Sequence, residues 1–365
     1  MPDVHASVKI EGEEMSDLLR RVEVEESDLA ADLATLVFGD NDLVLSDVLH
    51  EGLSVEIDLG YTTEHAVLFR GIVTAVRSHF PRRRQPQVEI QAADKLILLS
   101  MKPKTKAWGN TMVGQIVRDV ALDYGLVPGD VSVEEDVTIQ QARPRQQVEE
   151  TDLAFLHRLA REFDCKLFVE HPTGPDTINF VSTRSLLEAD PIEATLDFNH
   201  NVEEFSASFE AFATGPRERL VTTDEATGER IELEEELVQS GETQWTPDAG
   251  RLARLGGAAA RVSALLARSA AKRATLTDYW REPARDAGAP ARSSSDRYGA
   301  RGDRARRMGQ TGRGRTAGCI WLRPCKRVRI EGYGGRWSGN WYLARVRHEL
   351  DLERRAYLSE FLSTR

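Results

Sequence analysis

Residues 150–170 read ETDLAFLHRLAREFDCKLFVE, and the rhythm of the apolar residues changes within them. Leu153, Leu156, Leu159, Ala160 and Phe163 recur at helical intervals and make one apolar stripe. Thr151 or Asp152 can cap the helix start, because a short oxygen-bearing side chain accepts from an otherwise unpaired backbone N–H. From Lys166 to Glu170 the pattern becomes strand-like, with Leu167 and Val169 opposite Phe168. The turn-forming HPTGPD (171–176) then leads into a second strand, TINFV (177–181). The stretch predicts a helix packed on a β-hairpin. His157 sits on the rim of the stripe beside Arg158, Arg161 and Glu162, on the side expected to face water. It is eight residues from Cys165, which is no metal-ligand spacing.

Upstream, WGNTMVGQIVRDVALDYGL (108–126) places Val113, Ile116, Val117, Val120, Ala121 and Tyr124 on one helical face. Asn110 or Thr111 is a ready N-cap and Gly125 a ready stop. An extended piece, VSVEEDVTI (131–139), joins this helix to the first one. The opening hundred residues alternate as strands do. LSVEIDLGY (53–61) sets Leu53, Val55, Ile57 and Leu59 against polar neighbours. AVLFRGIVTAVRSHF (66–80) carries Gly71 in its interior, where a bulge or barrel bend is expected. It pairs with PQVEIQAADKLILLS (86–100) across a basic turn whose Arg82, Arg83 and Arg84 are expected in solvent. Several short strands of this kind predict a small barrel.

Downstream, ATLDFNHNVEEFSASFEAFAT (194–214) reads as strands, and an alanine-rich stretch at 252–271 has helical composition weakened by Gly256 and Gly257. The run at 284–318 is rich in Gly, Ser and Arg and poor in apolar residues, and is expected to be irregular. Three strand candidates close the chain: KRVRIEGYG (326–334), NWYLARVRHELD (340–351) and AYLSEFLSTR (356–365). Their tight connections predict an antiparallel meander.

The 365 residues are 41% hydrophobic and 29% charged, enough for two or three domains. The net charge of −11 is unevenly spread: −27 over 1–250, +15 over 251–330 and +1 over the rest. Such blocks imply different partners for different surfaces. No window resembles a membrane span, and the first thirty residues are acidic, so neither a membrane anchor nor a signal peptide is expected. Cys165, Cys319 and Cys325 are an odd number without redox or zinc spacing, which suits a reducing cytoplasm.

The pattern through Gln147, Glu150, Asp152, Phe155, Leu156 and Leu159 resembles the late control D family of contractile-tailed phages. So does the late strand carrying Leu343 or Ala344, Val346 and His348. Relatives of that family include the hub portion of VgrG proteins and the baseplate hubs of phage-tail-like injection systems. The resemblance covers nearly the whole chain, most weakly at 215–318. It departs from the family at Cys325, where a turn glycine is usual. It implies an α+β, β-rich fold: a first tube-like antiparallel β-barrel domain over 1–103, an α/β connecting unit over 104–189, and a second barrel domain over 190–365 with an irregular basic insertion at about 240–318. It also implies a structural baseplate hub, a homotrimer whose six barrels form a pseudo-sixfold ring between spike and inner tube. The interfaces of such a trimer would run to about 2,000 Å² or more. The implied partners are further copies of the chain, a separate spike protein, the inner tube protein and baseplate wedge proteins.

Motifs for a catalytic, cofactor or metal site were sought and none is predicted: there is no H-E-x-x-H, G-x-S-x-G or P-loop pattern. Asp40, Asn41 and Asp42 read as a turn rather than a calcium loop. His348 alternates with Val346 and Leu350 and is expected to be packed and hydrogen-bonded rather than a base. Two rival readings are a peptidoglycan-degrading baseplate hydrolase and a nucleic-acid-binding protein acting through 284–318. Only Tyr298 is available there to stack, and the acidic remainder repels polyanions. The basic block is instead expected to meet an acidic neighbour in the assembly.

Overall fold

The computed structural model describes residues 3–134, 136, 138–142, 144–209, 218–223, 230–235, 249–254, 259–263, 265 and 310–365. The first barrel domain contains β1 (Val4–Ile10), β2 (Glu13–Glu14), β3 (Leu19–Ser27), β4 (Leu33–Gly39), the short helix α1 (Leu45–Val48), β5 (Ser54–Tyr61), β6 (Glu64–His79) and β7 (Gln87–Asp94). These strands run β2-β1-β5-β6-β7-β4-β3, every pair antiparallel. Alternation sends Val22, Val24, Leu36, Phe38, Ile57 and Ile90 inward to one core. The long β6 slips register on β7 between Val73 and Ala75, just beyond Gly71. A Cβ at Gly71 would strike the Ala93 carbonyl, so only glycine lets the two backbones approach there. Asp40 caps α1, accepting from the Leu45 and Ser46 N–H groups at 2.9 and 3.0 Å, which is the expected turn. Residues 95–100 differ from expectation. They form a 3-10 turn instead of extending β7, because the Asp94 side chain accepts from the Leu96 N–H at 2.8 Å and turns the chain.

The α/β unit follows with β8 (Pro103–Trp108), α2 (Val113–Asp123), β9 (Val127–Ser132), β10 (Arg145–Thr151), α3 (Asp152–Glu162), β11 (Cys165–Glu170), β12 (Thr177–Ser182) and α4 (Thr183–Glu188). The β11–β12 hairpin stands where the sequence predicts it, and α3 packs on it through Leu156 and Leu159. Thr151 caps α3 by accepting from the Ala154 N–H at 3.2 Å. The cap of α2 was misjudged. Neither Asn110 nor Thr111 supplies it; Asp136 reaches in from 23 residues beyond Val113, accepting from the Val113 and Gly114 N–H groups at 2.8 and 3.0 Å. Gly125 ends the helix region at φ +67°, as predicted.

The second barrel domain is built from β13 (Thr195–Asp197), β14 (Val202–Phe209), β17 (Gln310–Ala317), β18 (Arg327–Glu331), β19 (Gly339–Asp351) and β20 (Ala356–Thr364); between β14 and β17 the described residues also include a separate two-stranded sheet, β15 (Glu218–Thr223) with β16 (Arg230–Glu235), and the short helix α5 (Ala249–Ala253). The predicted meander β18-β19-β20 is present. Its core holds Leu196, Val328, Ile330, Trp341, Val346 and Phe361. β19 also pairs with β3 along seven residues, from Arg345 opposite Ser27 to Asp351 opposite Arg21, so both barrel domains share one thirteen-stranded sheet.

Expecting an irregular run throughout 284–318 was wrong for its last residues. Gln310–Ala317 form β17, seated between β14 and β20 with strictly alternating burial. The arginines of GRGR point out. The glycines point in, and a Cβ on Gly312 would lie 2.8 Å from the Phe205 ring, while one on Gly314 would collide with Phe361. Aromatic rings on neighbouring strands cover the bare glycines and supply the apolar contact the segment lacks. Residues 284–309, with the expected charged insertion, and most of the alanine-rich stretch lie outside the described residues.

Gly314→Ala should therefore lower stability by about 1–3 kcal/mol in chemical denaturation. Gly174→Ala, whose Cβ meets nothing within 4 Å, should change it little.

Candidate functional site

The polar residues of the opening stretch are only partly in water. Asp152, the first residue of α3, is 1% exposed. It accepts from Tyr124 Oη at 2.7 Å and from Gln147 Nε2 at 2.9 Å, and pairs with Lys104 Nζ at 2.5 Å. Burial pushes its carboxyl up, but Lys104, Gln147 and Tyr124 outweigh that and hold it below the usual carboxylate range. Gln147 is itself fully buried and accepts from the Trp108 indole at 3.2 Å. Two polar members of the recognisable sequence pattern thus form one hydrogen-bonded cluster that ties β8, β10 and both helices together. His157 stays on the rim of α3, its imidazole pushed below its ordinary value by burial and by Arg161. Cys165 is buried, with its thiol pushed up by burial.

A larger set of buried charges lies where the three cores meet. Lys166 of β11 is 5% exposed and pairs with Asp28, just after β3, at 2.9 Å. Tyr342 of β19 donates to the same Asp28 carboxylate at 3.0 Å. One ion pair and one hydroxyl thereby join the first barrel, the α/β unit and the second barrel. Cys325 lies beside Tyr342 and occupies a left-handed backbone conformation, φ +60°, which explains why a glycine suits this turn.

Beside this lie Arg323 and Glu26, paired within hydrogen-bonding distance, with Arg323 also donating to the Leu68 carbonyl at 3.2 Å. Burial lifts the Glu26 carboxyl to about 7, more than Arg323 draws it back. Asp94 is likewise lifted to about 7 by burial, and Asp32 rises for the same reason. A third group centres on Asp176. It faces Lys95 at 2.8 Å, His171 at 2.9 Å and Arg70 at 3.5 Å, and His171 and Lys95 bring its carboxyl down to about 2 against the effect of burial.

His348 stands in this region at 0% exposure. Its Nδ1 lies 2.9 Å from Tyr357 Oη and 3.0 Å from Ser359 Oγ, and its Nε2 is 3.0 Å from the Leu322 carbonyl. Glu26 is 3.7 Å from Nε2. Serine, histidine and carboxylate thus come together, but not as a hydrolytic site. Ser359 is also 0% exposed, its hydroxyl accepts from the Cys319 N–H at 2.9 Å, and burial drives the imidazole down to about 3. No substrate reaches a nucleophile enclosed in this way. The expectation of a packed, hydrogen-bonded His348 holds. Sequence reading missed Glu26, Asp28, Lys166 and Arg323, which lie in three separate segments. The available signal was a lysine beside the apolar run Leu167–Val169 of β11.

The family model for the phage tail baseplate hub (GPD) matches residues 27–353. The chain belongs to that family. The hub fold is also seen in solved structures. The 43 kDa tail protein of prophage MuSo2 from Shewanella oneidensis superposes with a TM-score of 0.64 at 13% identity, covering 99% of this chain and 98% of that one. The tail protein from Neisseria meningitidis MC58 gives 0.61 at 14% identity, covering 100% and 97%. An Escherichia coli component of the type VI secretion system, similar to bacteriophage T4 tail proteins, gives 0.56 at 13%, covering 98% and 76%. No curated protein sequence matches the hub. Among the described residues, no helix is long and apolar enough to cross a membrane. Neither rival reading, hydrolase or nucleic-acid binder, gains support from these likenesses.

Lys166→Met should cost about 3–5 kcal/mol in chemical denaturation, because Asp28 is left buried and unpaired, and adding Asp28→Asn should recover part of the loss. The raised Asp94 carboxyl favours the fold at acid pH, and that contribution is lost as pH rises through about 7. Asp94→Asn removes it. Relative to the native chain the variant should gain stability, by about 1 kcal/mol or more, between about pH 5 and about pH 8 in parallel urea titrations.

Proposed function

We propose that three copies of this hub assemble into a pseudo-sixfold ring that joins a separate spike protein to the inner tube of a contractile particle, without catalysing a reaction. The supporting observation is the β3–β19 pairing, which places both barrel domains in one sheet. Two rigidly coupled barrel domains per chain become six in a trimer, which matches a threefold object on one side and a sixfold one on the other. The proposed units keep the expected limits: 1–103, 104–189 and 190–365. A structural role also agrees with the enclosure of His348 and Ser359.

Surface composition favours assembly. Leu43, Val44 and Val48 lie together at α1 and are 47%, 56% and 57% exposed in the single chain. Apolar side chains grouped in this way are suited to burial against another copy.

Purified hub, alone and with its candidate spike, should give a species of three chains by light scattering. Val44→Asp combined with Val48→Asp should weaken association by roughly tenfold or more without unfolding the chain. A protein that stays monomeric both alone and with the spike would overturn the proposal.

A further inference from the structure

A second constellation lies on the outer surface of the first barrel domain, away from the buried charges. β1 and β6 flank β5, and the register sets His5 opposite Gly60 from one side and His65 opposite Gly60 from the other. Gly60 has φ +153°, and a Cβ there would lie 2.6 Å from the His65 Cα and 2.8 Å from its Cβ. Only glycine fits, and with no side chain between them the two imidazoles meet over it. Their ring centres are 4.0 Å apart, tilted by 35°.

Asp58 completes the group from two residues back along β5, on the same face as the imidazoles by strand alternation. Its carboxylate oxygens are 2.9 and 3.1 Å from His65 Nδ1, and one of them is 3.8 Å from His5 Nε2. One nitrogen from each histidine and one oxygen of Asp58 lie within 4.8 Å of one another. The side chains of His5, Asp58 and His65 are 31%, 22% and 42% exposed, so the group is open to solvent on one side. Nearby Lys9 pairs with Glu56 at 3.0 Å, a carboxylate that Arg70 also meets at 2.8 Å.

A surface hydrogen bond between one histidine and one aspartate needs neither the second imidazole nor the bare glycine. Three donors from three strands converging over a gap left by a missing side chain are suited to a ligand smaller than a side chain. We infer that His5, Asp58 and His65 bind a divalent late first-row transition ion, of the class of zinc, cobalt or nickel. Two imidazoles and a carboxylate are donors these ions share, and three protein ligands leave a position for water. The bound ion would clip the N-terminal strand β1 to β5 and β6, coupling metal binding to the stability of that edge.

The test uses the full-length chain, with zinc chloride in equilibrium dialysis and cobalt chloride followed by visible absorption. The native chain should bind a single zinc ion saturably, show a cobalt ligand-field band and melt at higher temperature with zinc. His5→Ala and His65→Ala should each abolish the band and the thermal shift while melting normally without metal. His79→Ala, an exposed histidine elsewhere, should behave as the native chain. Absence of saturable binding, or binding and a cobalt band that survive both variants, would overturn the assignment.

Discussion

Everything else in this hub depends on the antiparallel pairing of Leu19–Ser27 with Gly339–Asp351. It joins segments more than three hundred residues apart and turns two barrel domains into one sheet. Because strand register is periodic in two, a slip by one residue would send Val22, Val24, Val346 and Leu350 to the wrong face. On the solvent side the same register aligns charges of opposite sign. Arg347 meets Glu23 at 2.7 Å, and Arg21 meets Glu349 at 3.0 Å. These exposed pairs add little free energy individually. The apolar faces beneath them set the register.

The buried charges near this pairing act differently. Apolar surfaces alone would let three cores slide against one another. Asp28, Lys166 and Tyr342 come from three different parts of the chain, and each is satisfied only when all three units are docked in one arrangement. A buried ion pair is a poor source of net stability, but misplacing one is costly, so its effect is to exclude other arrangements. The docked charges therefore hold the three units in one fixed geometry. The same packing encloses histidine, serine and carboxylate together, with His348 and Ser359 fully shielded from solvent.

Sequence reading failed in an instructive way at β17. Gly-Arg alternation has the composition of a disordered segment, and judged alone it cannot bury enough apolar surface to be ordered. Order comes from Phe205, which lies over Gly312, and Phe361, which lies over Gly314, both from adjacent strands. Such a contribution from distant residues leaves only a weak trace in local sequence, here the strict spacing of two. Likewise the cap of α2 comes from Asp136, although nearer residues of suitable type were at hand.

Local periodicity by itself determined many of the elements, though not β17 or the turn at 95–100. The α3 stripe, the β11–β12 hairpin, the closing meander and the helix stop at Gly125 depend on neighbours a few residues away, and all were legible. The order of those elements and a few patterned residues also carried the family resemblance. Tertiary structure alone decided which polar residues are buried and with whom. Gln147, Asp152 and His348 were visible as a pattern, yet their partners Trp108, Tyr124 and Tyr357 were not. The grouping of His5, Asp58 and His65 likewise required the register of three strands around one glycine. Charge pairing and ligand geometry are set by distances in space between residues remote in the chain, and periodicity encodes only which face a residue occupies.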